Sequence, residues 1–298
     1  MLPRGERCSQ ESEARGEPLG GTASTVRSWL LLEHPGPWGR DAPADARLPE
    51  GLGVELEQRC RAAGIRPLLI RRSPAATASG GVTCFAVRSG PEAPWVETTT
   101  LGERGEALEL DMAALGRGER LGLEAHDRPL FLVCTHGRRD VCCAERGRPL
   151  ADSLSRAYAD QTWESTHIGG DRFAGNLIAF PHGLYFGRVG PAQGAGVAGA
   201  YLDGRLALEH LRGRSCYPMV VQAAEVALRE REALDGMSDV SFEHAERQGD
   251  LVAATFSTPA GRVAVTVAVE ASAPTFLTCQ SRREEAAPAY RLVSIERA

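Results

Sequence analysis

Lysine is absent from the chain: all 34 basic residues are arginine. Beside so much alanine and glycine, this points to GC-rich coding rather than to a need for guanidinium chemistry. Positive charge is not in excess either. A formal net charge of −5 removes the electrostatic ground for a protein that tracks nucleic-acid phosphates. No run approaches the ~18 consecutive apolar residues of a membrane-crossing helix, so neither nucleic acid nor membrane is an expected partner. The opening stretch MLPRGERCSQESEARGEPLGG lacks the apolar segment of a secretory signal. Residues 1–24 therefore read as a short disordered leader on a cytoplasmic protein. Two cysteines spaced C-x-x-C are missing, which argues against an ordinary thioredoxin mechanism. Phosphate-cradling cysteine loops place arginine six positions after the cysteine. After Cys134 the arginines stand at four and five (Arg138, Arg139), and position six is Asp140. No pair of carboxylates stands in a recognisable glycosidase setting.

What is present is globular. With 298 residues, 43% hydrophobic and 24% charged, the chain has the composition and length of about two domains. An apolar run, Val26 to Glu33, reads as a buried strand. A helix follows over Pro49–Ala63, with Leu52, Leu56 and Cys60 on one face, and then a strand over Arg66–Arg71. Val82–Ser89 and Trp95–Leu101 form an expected hairpin, and Glu106–Leu115 a short amphipathic helix. The same order recurs: strand Pro129–Cys134, helix Cys142–Ala159, strand Gln161–His167, hairpin Asn176–Phe180 with Leu184–Val189, and a helical stretch over Ala192–Leu202.

The order βαβ followed by ββα is thioredoxin-like, with its first two strands parallel neighbours across a right-handed crossover. The fold class expected is thus α/β, with two thioredoxin-like lobes of mixed sheet at 25–125 and 126–216. One continuous α/β sheet is the alternative. After Cys216 the texture changes. A helix over Pro218–Leu234 and alternating runs at Leu251–Phe256, Arg262–Val269 and Thr275–Ser281 make 217–298 a small helix plus antiparallel meander that packs on what precedes it.

Of eight cysteines, five (Cys8, Cys60, Cys84, Cys216, Cys279) are dispersed and read as structural. The other three fall in CTHGRRDVCC, residues 134–143. Cys134 ends a strand. Cys142 and Cys143 open the next helix, with Asp140 as its N-cap, where the helix field favours thiolate. His167 ends the parallel neighbour within THIGGDRFAGN, residues 166–176. Both segments leave the carboxyl edge of the sheet, where open α/β folds place ligands. Thiolates with imidazole suit zinc, copper or an iron–sulfur cluster. Vicinal cysteines on a helix point roughly 100° apart, so if Cys143 faces this site, Cys142 faces elsewhere. His136 and Asp140 can equally serve the loop, Asn176 can hold it through backbone hydrogen bonds, and Arg172 can pair with Asp171 or Asp140. His182, in a turn, reads as solvated. Trp29 and Trp38 read as core, in a first lobe whose Pro35–Arg40 stands where the second has its cysteines.

These motifs, with GTASTVRSWLLLEHPGPWG (21–39) and LRGRS (211–215), resemble the sucrase/ferredoxin-like family, whose C-terminal part looks like a thioredoxin-like ferredoxin. The resemblance implies a [2Fe–2S] cluster held by two cysteines and by histidines in the pattern H-x-G-G-H, akin to a Rieske centre in donor set. Carried over, Cys134 and Cys143 match the cysteines and His167 the first histidine. The second falls on Asp171, since this chain reads H-I-G-G-D. Three outcomes stay open: oxygen ligation by Asp171; Cys142 or His136 in the fourth place; or no cluster, with thiol redox chemistry or a degenerate thioredoxin-like binding module instead. The function this implies is one-electron transfer with a redox partner protein, an electron carrier rather than an enzyme with its own substrate.

Overall fold

In a computed structural model describing residues 6–72 and 80–297, helix α1 (Cys8–Ala14) precedes a first lobe. That lobe consists of β1 (Ser28–Glu33), α2 (Leu52–Ala62), β2 (Ile65–Arg71), β3 (Val82–Arg88), β4 (Trp95–Leu101) and α3 (Met112–Arg117). The short β5 (Glu124–Ala125) closes the first lobe beside β4, and the second lobe runs through β6 (Leu130–Cys134), α4 (Val141–Ala157), β7 (Thr162–Ser165), β8 (Leu177–Phe180), β9 (Leu184–Phe186), α5 (Gly194–Leu202) and β10 (Leu211–Arg214). The chain closes with α6 (Met219–Glu232), β11 (Ser241–Gln248), β12 (Leu251–Thr258), β13 (Gly261–Ala271) and β14 (Pro288–Arg297).

The two lobes repeat one topology. β1 pairs with β2 in parallel and with β3 antiparallel, and β3 pairs with β4. β6 pairs likewise with β7 and β8, and β8 with β9. Both readings of the sequence are therefore met at once. Antiparallel pairing of Ile70 with Ser165 and Arg71 with Glu164 joins the lobes into one ten-stranded sheet, ordered β10-β9-β8-β6-β7-β2-β1-β3-β4-β5.

That sheet is folded on itself. Trp29 of β1 meets Phe180 of β8 edge-on at 5.2 Å between ring centres. The two strands lie four places apart, which a flat sheet would hold about 19 Å apart at ~4.8 Å per strand. Alternation then buries both faces of each half. Leu30 and Leu32 pack outward against Leu56 and Cys60 of α2, while Trp29 and Leu31 face the shared interior. Phe131 and Val133 pack outward against Leu150 and Leu154 of α4, while Leu130, Leu132 and Cys134 face inward. The layers are helix, sheet, sheet, helix, with the central core contributed by both lobes.

Helix α6 joins this body to a second sheet, β11-β12-β13-β14. Its Val221, Ala224 and Leu228 pack on Phe256, Val263 and Val265. On its other side Glu225 receives bonds from Arg214 of β10 and from Arg229, both at 2.9 Å and all three buried.

Three expectations are corrected. The leader is ordered from residue 6: α1 forms, with Cys8, Ser9 and Ser12 buried, because Cys8 and Ser9 dock on Cys142 at the start of α4 and Ser12 accepts from Arg188. Residues 1–5 lie outside the described residues. The helix expected over Glu106–Leu115 divides into a 3₁₀ turn, Arg104–Glu109, and α3, because the Asp111 carboxylate accepts a bond from the Ala114 amide and starts a new helix. Thr275–Ser281 is not a strand. Only Thr275 forms a bridge, to Glu285, and β11 and β14 complete the meander instead.

Candidate metal centre

The parallel register sets Cys134 opposite Ser165, so the loops after β6 and β7 leave the sheet side by side. Asp140 caps α4, its Oδ1 accepting from the Cys142 amide at 2.9 Å. This turns the first helical residues back over the end of β6. Cys134, Cys143 and His167 converge there, their donor atoms all within 4.8 Å of one another. Both cysteines are only 1% exposed.

Asp171, where the family pattern has its second histidine, belongs to the same group. Its Oδ1 accepts from the Cys143 thiol at 3.1 Å and lies 3.0 Å from His167 Nδ1. The His167 contact lacks the alignment of a hydrogen bond and leaves Nδ1 buried without an aligned partner. Charge follows the contacts. The Cys143 thiol, with help from His167, overcomes burial and holds Cys134 well below the ordinary thiol range. Contact with the Cys134 thiolate, burial and Asp171 push Cys143 well above it. Burial opposes a charge on His167, but Asp171 and Cys134 outweigh it and raise the imidazole to about 9. Burial would raise Asp171, yet His167 and the Cys143 thiol hold it below its usual value. The thiolate expected at the start of α4 is thus not Cys143. The low-lying thiol there is Cys142, lowered first by Cys279 and then by Cys8.

The alternative fourth ligands are placed elsewhere. His136 Nε2 faces the Gly39 carbonyl at 3.0 Å, and its Nδ1 accepts from the His167 amide at 3.2 Å. A carbonyl only accepts, so His136 is the neutral Nε2–H tautomer with both nitrogens engaged. It is a strut between the first-lobe loop and the His167 loop. Cys142 points away from Cys143 and joins Cys8, Cys279 and Asp140. The first-lobe loop that lacks cysteines therefore covers the site of the second, also pairing Asp41 with Arg139.

Arg212 was not singled out in the sequence as a site residue. Fully buried, it donates to the Gly169 carbonyl at 3.0 Å, to Asn176 Oδ1 at 2.7 Å and to Thr22 Oγ1 at 3.0 Å. Asn176 in turn donates to the Gly170 carbonyl at 2.8 Å, as its loop-holding role requires. Gly170 has φ +78°, and a Cβ there would lie 2.3 Å from the Arg212 guanidinium. Gly170 thus admits this internal cation, while Gly169 makes room for Ser24. The signal was the first of the two arginines in LRGRS. Arg172 pairs with Glu17 at 2.7 Å rather than with Asp171 or Asp140. His182 is half-buried rather than solvated, its Nδ1 2.6 Å from the Tyr201 hydroxyl. Trp29 and Trp38 are core, and so are Cys60, Cys84 and Cys216; Cys8 and Cys279 are not dispersed.

Parts of the chain are similar to known proteins. The Debaryomyces hansenii protein named altered inheritance of mitochondria protein 32 is 33% identical over 97 residues, 29% of this chain and 36% of that protein. Its Meyerozyma guilliermondii namesake is 33% identical over 78 residues, 23% and 28% of the two chains. The chain thus matches about a third of these relatives' length. The thioredoxin-like [2Fe–2S] ferredoxin of Aquifex aeolicus aligns with 31% of this chain and 97% of its own, at 14% identity and a TM-score of 0.28. A cysteine-to-serine variant of it aligns with 28% and 97%, at 13% and 0.26. The sucrase/ferredoxin-like pattern matches residues 19–213, spanning both lobes, the cysteine pair, the His167–Asp171 loop and Arg212, and the chain belongs to that family.

Proposed function

We propose that the protein carries single electrons on a [2Fe–2S] cluster held by Cys134, Cys143, His167 and Asp171. The observation that carries this reading is the buried meeting of two cysteine sulfurs and an imidazole within 4.8 Å, with a buried carboxylate touching two of the three. Sulfur and imidazole donors fit iron–sulfur ligation, and the buried His167 Nδ1 has no aligned partner among the described residues. When bound, a [2Fe–2S] group supplies a one-electron couple. The chain's own residues set its surroundings. Cys134 is already disposed to thiolate, the Cys143 proton must leave for its sulfur to ligate, and Arg212 holds the loop that aims His167 and Asp171.

Access favours electron transfer over thiol exchange. With both cysteines 1% exposed, a protein disulfide has no approach to their sulfurs, whereas an electron needs no contact. His167, with 23% of its side chain exposed, lines a cleft of about 320 Å³ with Arg40, Asp41, Glu57, Arg61, Arg66 and Arg139. Four arginines against two acids make this mouth basic on an acidic protein. We therefore assign it an acidic redox partner, whose association rate falls as salt rises. No helix among the described residues is long and apolar enough to cross a membrane.

Reconstitution of the full chain with iron and sulfide under argon tests the assignment. Wild type takes up about two irons, as a [2Fe–2S] centre requires, and Cys143→Ser takes up none. Equal uptake by the two proteins overturns the ligand set.

A further inference from the structure

A second group of sulfurs lies on the opposite side of the α4 start, built from three distant parts of the chain. Cys8 comes from α1, Cys142 from the first turn of α4, and Cys279 from the segment between β13 and β14. Their sulfurs form a triangle with edges of 3.3 Å (Cys142–Cys279), 3.5 Å (Cys8–Cys279) and 3.6 Å (Cys8–Cys142), and none is bonded to another. Both Asp140 oxygens stand 4.0 Å from the Cys8 sulfur. Cys8 and Cys142 are buried, and Cys279 is partly buried.

We propose that Cys8, Cys142 and Cys279 bind one zinc ion, with Asp140 at the fourth corner. Zinc–sulfur bonds of about 2.3 Å in a tetrahedron place the sulfurs about 3.8 Å apart, so the observed triangle is within a few tenths of an ångström of that shape. Sulfurs this close surround one ion; they do not span a multi-iron cluster. Polar donors already aim at them: the Ser9 hydroxyl at the Cys142 sulfur, 3.3 Å, and the Cys8 amide at the Cys279 sulfur, 3.5 Å. Such bonds are the outer contacts that stabilise ligating thiolates. The Asp140 carboxylate is held in place by the Cys142 amide at 2.9 Å and the Cys279 amide at 2.7 Å. A disulfide between any two of the three would leave the third buried beside it without a purpose, whereas a single ion uses all three. The ion ties α1 and the 272–287 segment to the helix that carries Cys143.

The proposal is independent of the electron-transfer reading, and a background of Cys134→Ser with Cys143→Ser keeps the two apart. Full-length protein of that background, purified with reductant and zinc sulfate, is expected to hold about one zinc per chain by elemental analysis. Cys279→Ser and Cys8→Ser on the same background are expected to lose most of it at unchanged far-ultraviolet circular dichroism. Exchange with cobalt chloride is expected to give sulfur-to-cobalt charge-transfer absorption whose intensity per bound cobalt drops by roughly a third in Cys279→Ser, as the loss of one of three thiolates requires. Three results overturn the proposal: folded protein that retains no zinc, zinc retention indifferent to both serine variants, or a Cys142–Cys279 disulfide in peptides from protein purified with reductant.

Discussion

Asp171 is the residue on which the site's electronic character turns. A carboxylate brings a negative charge that a neutral histidine does not, so Asp171→His is expected to keep the iron and shift the reduction potential to more positive values, read by dye-linked titration. An unchanged potential would mean that Asp171 only buttresses the loop. His182 offers a separate check through pH. Burial lowers it from 6.5 to about 4, so the unfolded chain takes up its proton first as pH falls. Its contribution to stability is complete above pH 6.5 and is lost on going down to about pH 4. After allowance for partial exposure this amounts to about 2 kcal/mol. The urea midpoint of His182→Gln should fall less than that of wild type across this window. At this scale the sequence was most legible where the candidate ligands are contiguous: Cys134, Cys143, His167 and Asp171, which the structure brings together, all sit in two short motifs. It was least legible for His136, whose role depends on the Gly39 carbonyl 97 residues away, and for Cys8 and Cys279, which no local spacing connects. The vicinal pair was the one local hint, since two adjacent helical cysteines cannot face the same way.

Elements repeat the lesson with a different cause. Strands and helices of both lobes could be read because every central strand alternates between two buried faces and every helix has one. The Arg104–Arg117 region could not, because its amphipathic pattern runs through a cap at Asp111. Thr275–Ser281 has strand-like composition but serves the Cys279 cluster instead. The most sensitive element junction is the loop after β7. Gly170 has a positive φ and no room for a side chain. Gly170→Ala should cost at least the ~1–2 kcal/mol of a left-handed non-glycine residue and displace Arg212 from the Gly169 carbonyl. A lower thermal midpoint together with reduced iron uptake is expected; loss of stability with uptake intact would show that the loop does not aim the ligands.

For the whole molecule, the C-terminal unit is bound to the lobes by charge as well as by apolar contact. Glu225 neutralises Arg214 and Arg229 in a place without water access. Glu225→Gln leaves two buried guanidiniums facing each other and should cost about 3–5 kcal/mol, seen as a single cooperative transition at lower urea; a change under 1 kcal/mol would mean that this junction is solvated. The folding of the sheet on itself was not legible, because no pattern within either lobe records that β2 and β7 pair. Yet that pairing brings the first-lobe loop over the second lobe's cysteines and makes a basic cleft at His167.

The central claim, electron transfer on a cluster at this buried site, is tested most directly by the visible and electron paramagnetic resonance spectra of the full chain purified without oxygen, with its iron content. A brown protein with about two irons per chain, an S = 1/2 signal on reduction, and loss of both in Cys134→Ser is the expected result. A colourless chain that gains neither colour nor iron on reconstitution, while folded, would contradict it.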